Sequence, residues 1–160
     1  RRRGAQETIG VDIAACVDCR YCWEKDGCAI QDGMQEVYRH IADADNVVIA
    51  SPLYYSQLTG PLLSLASRFQ RYYAARRFRG VKPAIKRKKG VLVLVGGGEG
   101  SAKPAMETAG ILFRNLNAKC VGAVLSLHTD ETPAKQDPVA LAAAREMANT
   151  LNCPQEPNLQ

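Results

Sequence analysis

Four cysteines fall within thirteen residues, Cys16, Cys19, Cys22 and Cys28, in the spacing C-x2-C-x2-C-x5-C. A 4Fe–4S core needs four thiolates converging on one small inorganic body, and two-residue gaps let a chain wrap and aim successive sulfurs inward. Each thiolate must shed its proton and be shielded from water, and Tyr21 and Trp23 supply an aromatic surround for that. Zinc is the main rival. Structural zinc usually takes two C-x2-C pairs set well apart, so a third cysteine at the same tight spacing argues against it. Redox-inert packing cysteines are the remaining alternative.

The chain that must position these residues is 160 residues long, room for one domain with a real core. Hydrophobic residues make up 46% and charged residues 23%, the balance of an ordinary globule. No run of eighteen apolar residues occurs, which excludes a membrane-spanning helix. Arg1–Gln6 carries no apolar segment of the signal-peptide kind, and six cysteines in such a chain read as thiols or metal ligands rather than disulfides. The expectation is a cytoplasmic protein.

The net charge is +5, concentrated in Arg71, Arg76, Arg77, Arg79, Lys82, Lys86, Arg87, Lys88 and Lys89. Such a run suits a nucleic acid, a nucleotide phosphate or an acidic partner. The plainer reading is a solvated helix end and loop. Only Phe78 is interleaved with the charges, which argues against nucleic acid.

Residues 7–13 alternate loosely as a short strand that runs into the cysteine loop. Asp32, with Gln35 three residues on, predicts a capped helix with Met34, Val37, Tyr38 and Ile41 on its apolar face, ending near Ala44. Residues 46–50, 90–95 and 120–127 are apolar runs of the kind buried on both faces of a sheet. Between them lie a long helix beginning near Pro61 (Leu62, Leu65, Ala66, Phe69 and Tyr72 or Tyr73 inward) and another over 104–116 with Ile111, Leu112 and Leu116 inward. Asp137-Pro138 opens an alanine-rich helix to Leu151. Residues 1–152 form the domain, and the tail 153–160 frays. Strands alternating with helices predict an α/β three-layer sandwich with a parallel sheet, whose ligands bind beyond the carboxyl ends of the strands.

That rule directs attention to three loops: the cysteine loop 14–31, Ser51–Gly60 and Gly96–Gly100. Ser51-Pro52-Leu53-Tyr54-Tyr55 places two aromatics and a hydroxyl where a planar ligand can lie. Gly96-Gly97-Gly98 lets the backbone approach such a ligand closely. Each loop alone also reads as a plain turn, but on adjacent crossovers they favour a flavin ring site. His40 and His128 read as structural, Cys120 as core and Cys153 as a bystander thiol, and no acid–base residue stands out.

The order of the cysteine motif, then Asp32-Gly33-Met34, then the stretch Ala44 to Tyr55, then Thr59-Gly60-Pro61-Leu62, resembles the iron–sulfur flavoproteins. These belong with the flavodoxin-like, NADPH-dependent FMN reductases, and the similarity covers about residues 5–150. It implies a flavodoxin-like sheet of order 2-1-3-4-5, FMN as cofactor with Pro52, Leu53, Tyr54, Tyr55 and Gly96–Gly98 along the isoalloxazine, and Cys16, Cys19, Cys22 and Cys28 as 4Fe–4S ligands. It also implies NAD(P)H or a ferredoxin-like donor as partner and a homodimer or homotetramer. The family's first strand and its phosphate loop precede Arg1–Gln6, which matches the end of the helix that follows them, so phosphate-site residues are not assigned. Ser67-Arg68 stands where relatives usually show Asp-Arg.

The function expected is an FMN-dependent oxidoreductase that converts between one- and two-electron carriers. The alternatives are a non-catalytic zinc- or cluster-stabilised binding module with a defunct flavin site, or a flavin reductase with a bare cysteine loop.

Overall fold

The computed structural model describes residues 12–153. Three parallel strands, β1 (Asn46–Pro52), β2 (Lys88–Gly96) and β3 (Ala118–Leu127), lie side by side in sequence order. These match the 3-4-5 half of the expected order. Most of the strand expected at 7–13 lies outside the described residues, as does nearly all of the expected tail; Asp12 and Ile13 are not in a strand.

One face of the sheet is covered by α2 (Met34–Asp43), α3 (Gly60–Ser67), α4 (Gln70–Arg77) and α5 (Lys103–Asn115). Ile49, Leu92 and Leu94 meet Met34, Tyr38, Leu65, Phe69, Tyr72, Leu112 and Phe113 in a single core on that side. The other face carries α6 (Pro138–Asn152), with Met147 against Gly122. Asp137 caps α6 as expected, accepting from the Val139 and Ala140 N–H groups. No helix among the described residues is long and apolar enough to cross a membrane.

Three expectations are corrected. β1 is not buried on both faces: Val48 is 51% exposed, because among the described residues α6 packs chiefly on β3 and covers little of the far side of β1. Ile111 is 52% exposed, while Ala105, Ala109, Leu112, Phe113 and Leu116 form the inner stripe of α5 and its end. Cys120 is exposed rather than core. The register jumps from Gly90↔Cys120 to Val91↔Gly122, so Val121 is an extra residue that breaks the alternation of β3.

The long helix expected from Pro61 is broken at Arg68-Phe69. There the chain switches to i→i−3 bonds, Arg68 N–H to Leu65 O and Phe69 N–H to Ala66 O, while the Tyr38 hydroxyl donates to Arg68 O at 2.8 Å.

Arg76, Arg77, Lys82, Lys86 and Arg87 of the basic run stay exposed, as expected of a solvated helix end and loop, while Lys88 is buried and Arg71, Arg79 and Lys89 are half-buried. Arg76 donates to Asn115, Lys86 pairs with Asp45, Lys88 is buried with its ammonium on Ile41 O, and Lys89 donates to Thr150 O and Cys153 O. Arg71 lies over the Tyr38 ring at 4.4 Å and, with Arg79, reaches Asp26.

Gly90 is pressed against α5, where a Cβ would fall 2.6 Å from the Phe113 ring. We expect Gly90→Ala to destabilise by about 1–3 kcal/mol through overpacking. Gly122→Ala meets only the flexible end of Met147 and should cost under about 1 kcal/mol. Urea unfolding of the two variants checks the ranking.

Candidate functional site

The cysteine loop is shaped by left-handed backbone at unusual residues. Asp18 (φ 49°), Arg20 (φ 60°) and Gly27 (φ 94°) turn the chain back on itself, with the short helix α1 (Tyr21–Glu24) between. Non-glycine residues in this region are strained by about 1–3 kcal/mol and persist only where the surroundings fix them. The surroundings here are specific. Trp23 stacks on Phe78 with ring centroids 4.0 Å apart, and Arg20 lies over the Trp23 ring at 4.8 Å. Asp26 pairs with Arg79 at 3.0 Å and with Arg71 at 3.6 Å. Burial alone would raise the Asp26 carboxyl, but these two guanidinium groups outweigh it and hold it below its ordinary value.

The two ends of the loop are closed by one residue. The Arg68 side chain is fully buried and donates from Nη1 to Ala14 O and Asp32 Oδ2, both at 2.8 Å. From Nη2 it donates to Ile30 O at 3.0 Å and Asp32 Oδ1 at 3.2 Å. Asp32 also accepts from the Ala14 and Met34 N–H groups. Desolvation would raise the Asp32 carboxyl, yet the Arg68 bonds and these N–H groups hold it low. Ser67 accepts the Cys16 N–H at 2.9 Å and donates to Ser64 O. Asp32 thus accepts the Met34 N–H just ahead of α2, whose cap position is Gly33 with no side-chain bond, and Gln35 donates to Ile30 O instead of completing a box with Asp32.

Cys16, Cys19, Cys22 and Cys28 all line one cavity of about 20 Å³, together with Trp23 and Arg68. All six cysteines are free thiols. Burial pushes the Cys22 thiol up, and negative charge on Cys16, Cys28 and Cys19 pushes the same way. Once deprotonated, four cysteines lining one cavity would be a donor set for a cationic inorganic centre, and in that chemical sense they fit one. Among the described residues no three of His, Cys, Asp or Glu are gathered closely enough to hold a metal ion. The cavity has room for roughly one water, so in this arrangement the loop does not enclose a larger core.

At the carboxyl ends of the strands a second group of residues meets. Leu53 N–H donates to Val95 O, and Leu53 lies against Gly96, where a Cβ would come within 3.3 Å of its Cδ1. Ser51 is buried, donating to Pro52 O and accepting the Thr59 N–H, which fixes the loop between. Tyr54 and Gln57 exchange backbone hydrogen bonds around Tyr55 (φ 52°) and Ser56 (φ 62°), a tight turn of the mirror-image kind that usually takes glycine or asparagine. Tyr54 and Tyr55 are exposed, Tyr55 completely. Gly100 approaches Ser56, Gly98 faces open space, and Thr108 ties α5 to Gln57.

The family model described as NADPH-dependent FMN reductase matches residues 3–132. The chain belongs to this family. Among curated relatives, an iron–sulfur flavoprotein of Archaeoglobus fulgidus is 34% identical over 106 residues, covering 66% of this chain and 44% of that protein. One of Methanosarcina thermophila is 27% identical over 148 residues, covering 88% and 71%. The chain thus spans under half the length of the Archaeoglobus relative. An NAD(P)H:quinone oxidoreductase of Methanothermobacter marburgensis superposes with a TM-score of 0.56 at 18% identity, covering 84% and 70%, which speaks for the shared flavodoxin-like fold alone.

In this FMN reductase-family chain the two residue groups rest on different supports. Ser51–Tyr55 and Gly96–Gly98 sit together by the start of α5. A recess of about 330 Å³ beside Cys16 and Asp18 is bounded by Ser67, Gln70 and Asn115. Asn115 is twelve residues along α5 from Lys103, about 18 Å at 1.5 Å per residue. The cysteine loop leans on α3 through Ser67 and on α4 through α1. Two contributors had no signal in local pattern. Asp130 approaches Gly97 so closely that a Cβ there would meet its carboxylate at 2.3 Å, and Arg68 clamps the cysteine loop. His40 sits exposed by Glu36, and His128 (φ 63°) turns the chain after β3.

Asp32→Ala strands a buried guanidinium and should destabilise by about 3–5 kcal/mol. Because the folded carboxyl is held low, the stabilisation is present above the unfolded value near 4 and is lost as pH falls through the folded one. Urea midpoints between pH 7 and pH 3 should therefore fall less steeply for Asp32→Asn than for the unaltered chain.

Proposed function

We propose that this chain is an FMN-dependent oxidoreductase that passes electrons between flavin and a cysteine-bound 4Fe–4S cluster, with NAD(P)H or a ferredoxin-like protein as donor. The observation that carries the reading is that the four cysteines of the motif line one cavity, on a loop fixed at both ends by a buried arginine. Membership of the FMN reductase family and the names of the archaeal relatives support the flavin and the cluster respectively.

When bound, the flavin supplies one- or two-electron chemistry and the cluster one-electron chemistry. The chain's own residues bind and orient. Tyr54 and Tyr55 offer exposed ring faces to a planar isoalloxazine, Pro52 and Leu53 give it an apolar rest, and Ser51 holds their backbone in place. Gly96, Gly97 and Gly98 bring bare backbone to the same position, with Gly98 leaving open space for the ring. Cys16, Cys19, Cys22 and Cys28 would ligate the cluster, with Trp23 and Phe78 stacked beside it to exclude water.

Two variants separate the parts. Gly98→Val fills the open space and should weaken FMN binding at least tenfold, by fluorescence titration, with little change in thermal stability. Cys19→Ala should lose iron and acid-labile sulfide while binding FMN as before. A Cys19→Ala protein with a full iron complement contradicts the ligand set.

A further inference from the structure

The turn that follows β3 is pinned to the glycine loop at the end of β2. Thr129 N–H donates to Gly96 O at 3.0 Å, and the His128 carbonyl accepts the Glu131 and Thr132 N–H groups, both at 3.0 Å. His128, at the head of the turn, holds a left-handed φ of 63°. That conformation costs a non-glycine residue about 1–3 kcal/mol and persists where the surroundings fix it. Two residues on, the Asp130 side chain is laid against Gly97. A Cβ at Gly97 would fall 2.3 Å from Oδ1, 2.6 Å from Cγ and 2.7 Å from Oδ2, and these are the three atoms nearest to it. The carboxylate thus fills the place where another residue would carry its side chain. No hydrogen bond or ion pair among the described residues engages it. Its position is set by the turn, not by a partner of its own.

We propose that Asp130 sets the reducing strength of FMN at this site by holding a fixed negative charge beside the ring. This rests on the reading of Gly96–Gly98 as one wall of the flavin site. Gly98 faces open space, and consecutive Cα atoms lie about 3.8 Å apart. An isoalloxazine resting on Gly98 therefore begins within about one Debye length of the carboxylate, about 10 Å at 0.1 M salt, where its charge is still felt. Reduction adds electrons to the ring, so a nearby negative charge opposes the reduced form more than the oxidised one. FMN reduced here is thereby the stronger electron donor. The other carboxylates of the two loops, Glu99 and Glu131, are exposed, and neither is among the atoms against Gly97.

The test is the FMN midpoint potential of the full chain, purified without oxygen and equilibrated with a reference dye. Asp130→Asn keeps the shape of the side chain and removes its charge. Reduced FMN should then bind about tenfold more tightly relative to oxidised FMN, an upward shift of about 30 mV for a two-electron couple. Glu131→Gln, one residue farther along the same turn, should leave the potential where it was. FMN bound at an unchanged potential in Asp130→Asn, or an equal shift in Glu131→Gln, overturns the role of Asp130 and leaves the flavin site standing. An unaltered chain that binds no FMN sinks the flavin reading itself, and this role with it.

Discussion

The buried pair of Arg68 and Asp32 is the constraint on which the candidate site depends. A guanidinium removed from water is tolerated when matched by an opposite charge and given acceptors for most of its donors. Here the match comes from 36 residues away, and the remaining acceptors are the carbonyls at the two ends of the cysteine loop. Closing that loop and neutralising that charge are therefore the same event. The same arginine sits at the break between α3 and α4, where its carbonyl takes the Tyr38 hydroxyl. The helix break, the start of α2 and the loop ends are locked by one side chain and its backbone.

A second anchor works farther out. Asp26, stacked Trp23 and Phe78, and Arg79 tie the tip of the loop to the end of α4. Strained residues such as Asp18 and Arg20 are affordable between two fixed points, since the chain between them has few other ways to run. Each contact draws a member of the basic run into the fold. What reads as a charged face in the sequence stays exposed at Arg76, Arg77, Lys82, Lys86 and Arg87, while Arg71, Arg79, Lys88 and Lys89 serve as anchors.

Local patterns were legible: three apolar runs became three parallel strands, Asp137-Pro138 capped a helix, and the glycine and tyrosine loops met at the strand ends. The cysteines, chosen by spacing alone, line a common cavity. What escaped depends on partners distant in sequence. Val48 and Ile111 look buried by composition, but exposure is decided by which helix lies over them. Cys120 is turned outward by a single extra residue that no periodicity announces. Arg68 is marked in the sequence only as the arginine of a pair where relatives show Asp-Arg, and its partners Asp32 and Ala14 come to it only in the fold, as Asp130 meets Gly97 only once β2 and β3 are paired.

The central claim is that one chain carries both a flavin site and a cysteine-held iron–sulfur centre. Its most direct test is the absorption spectrum of protein purified without oxygen, recorded before and after adding NADPH. Flavin bands over a broad brown shoulder, both bleached on reduction, are the result the account predicts. A colourless protein with zinc in place of iron would contradict it and leave a binding module built on the same fold.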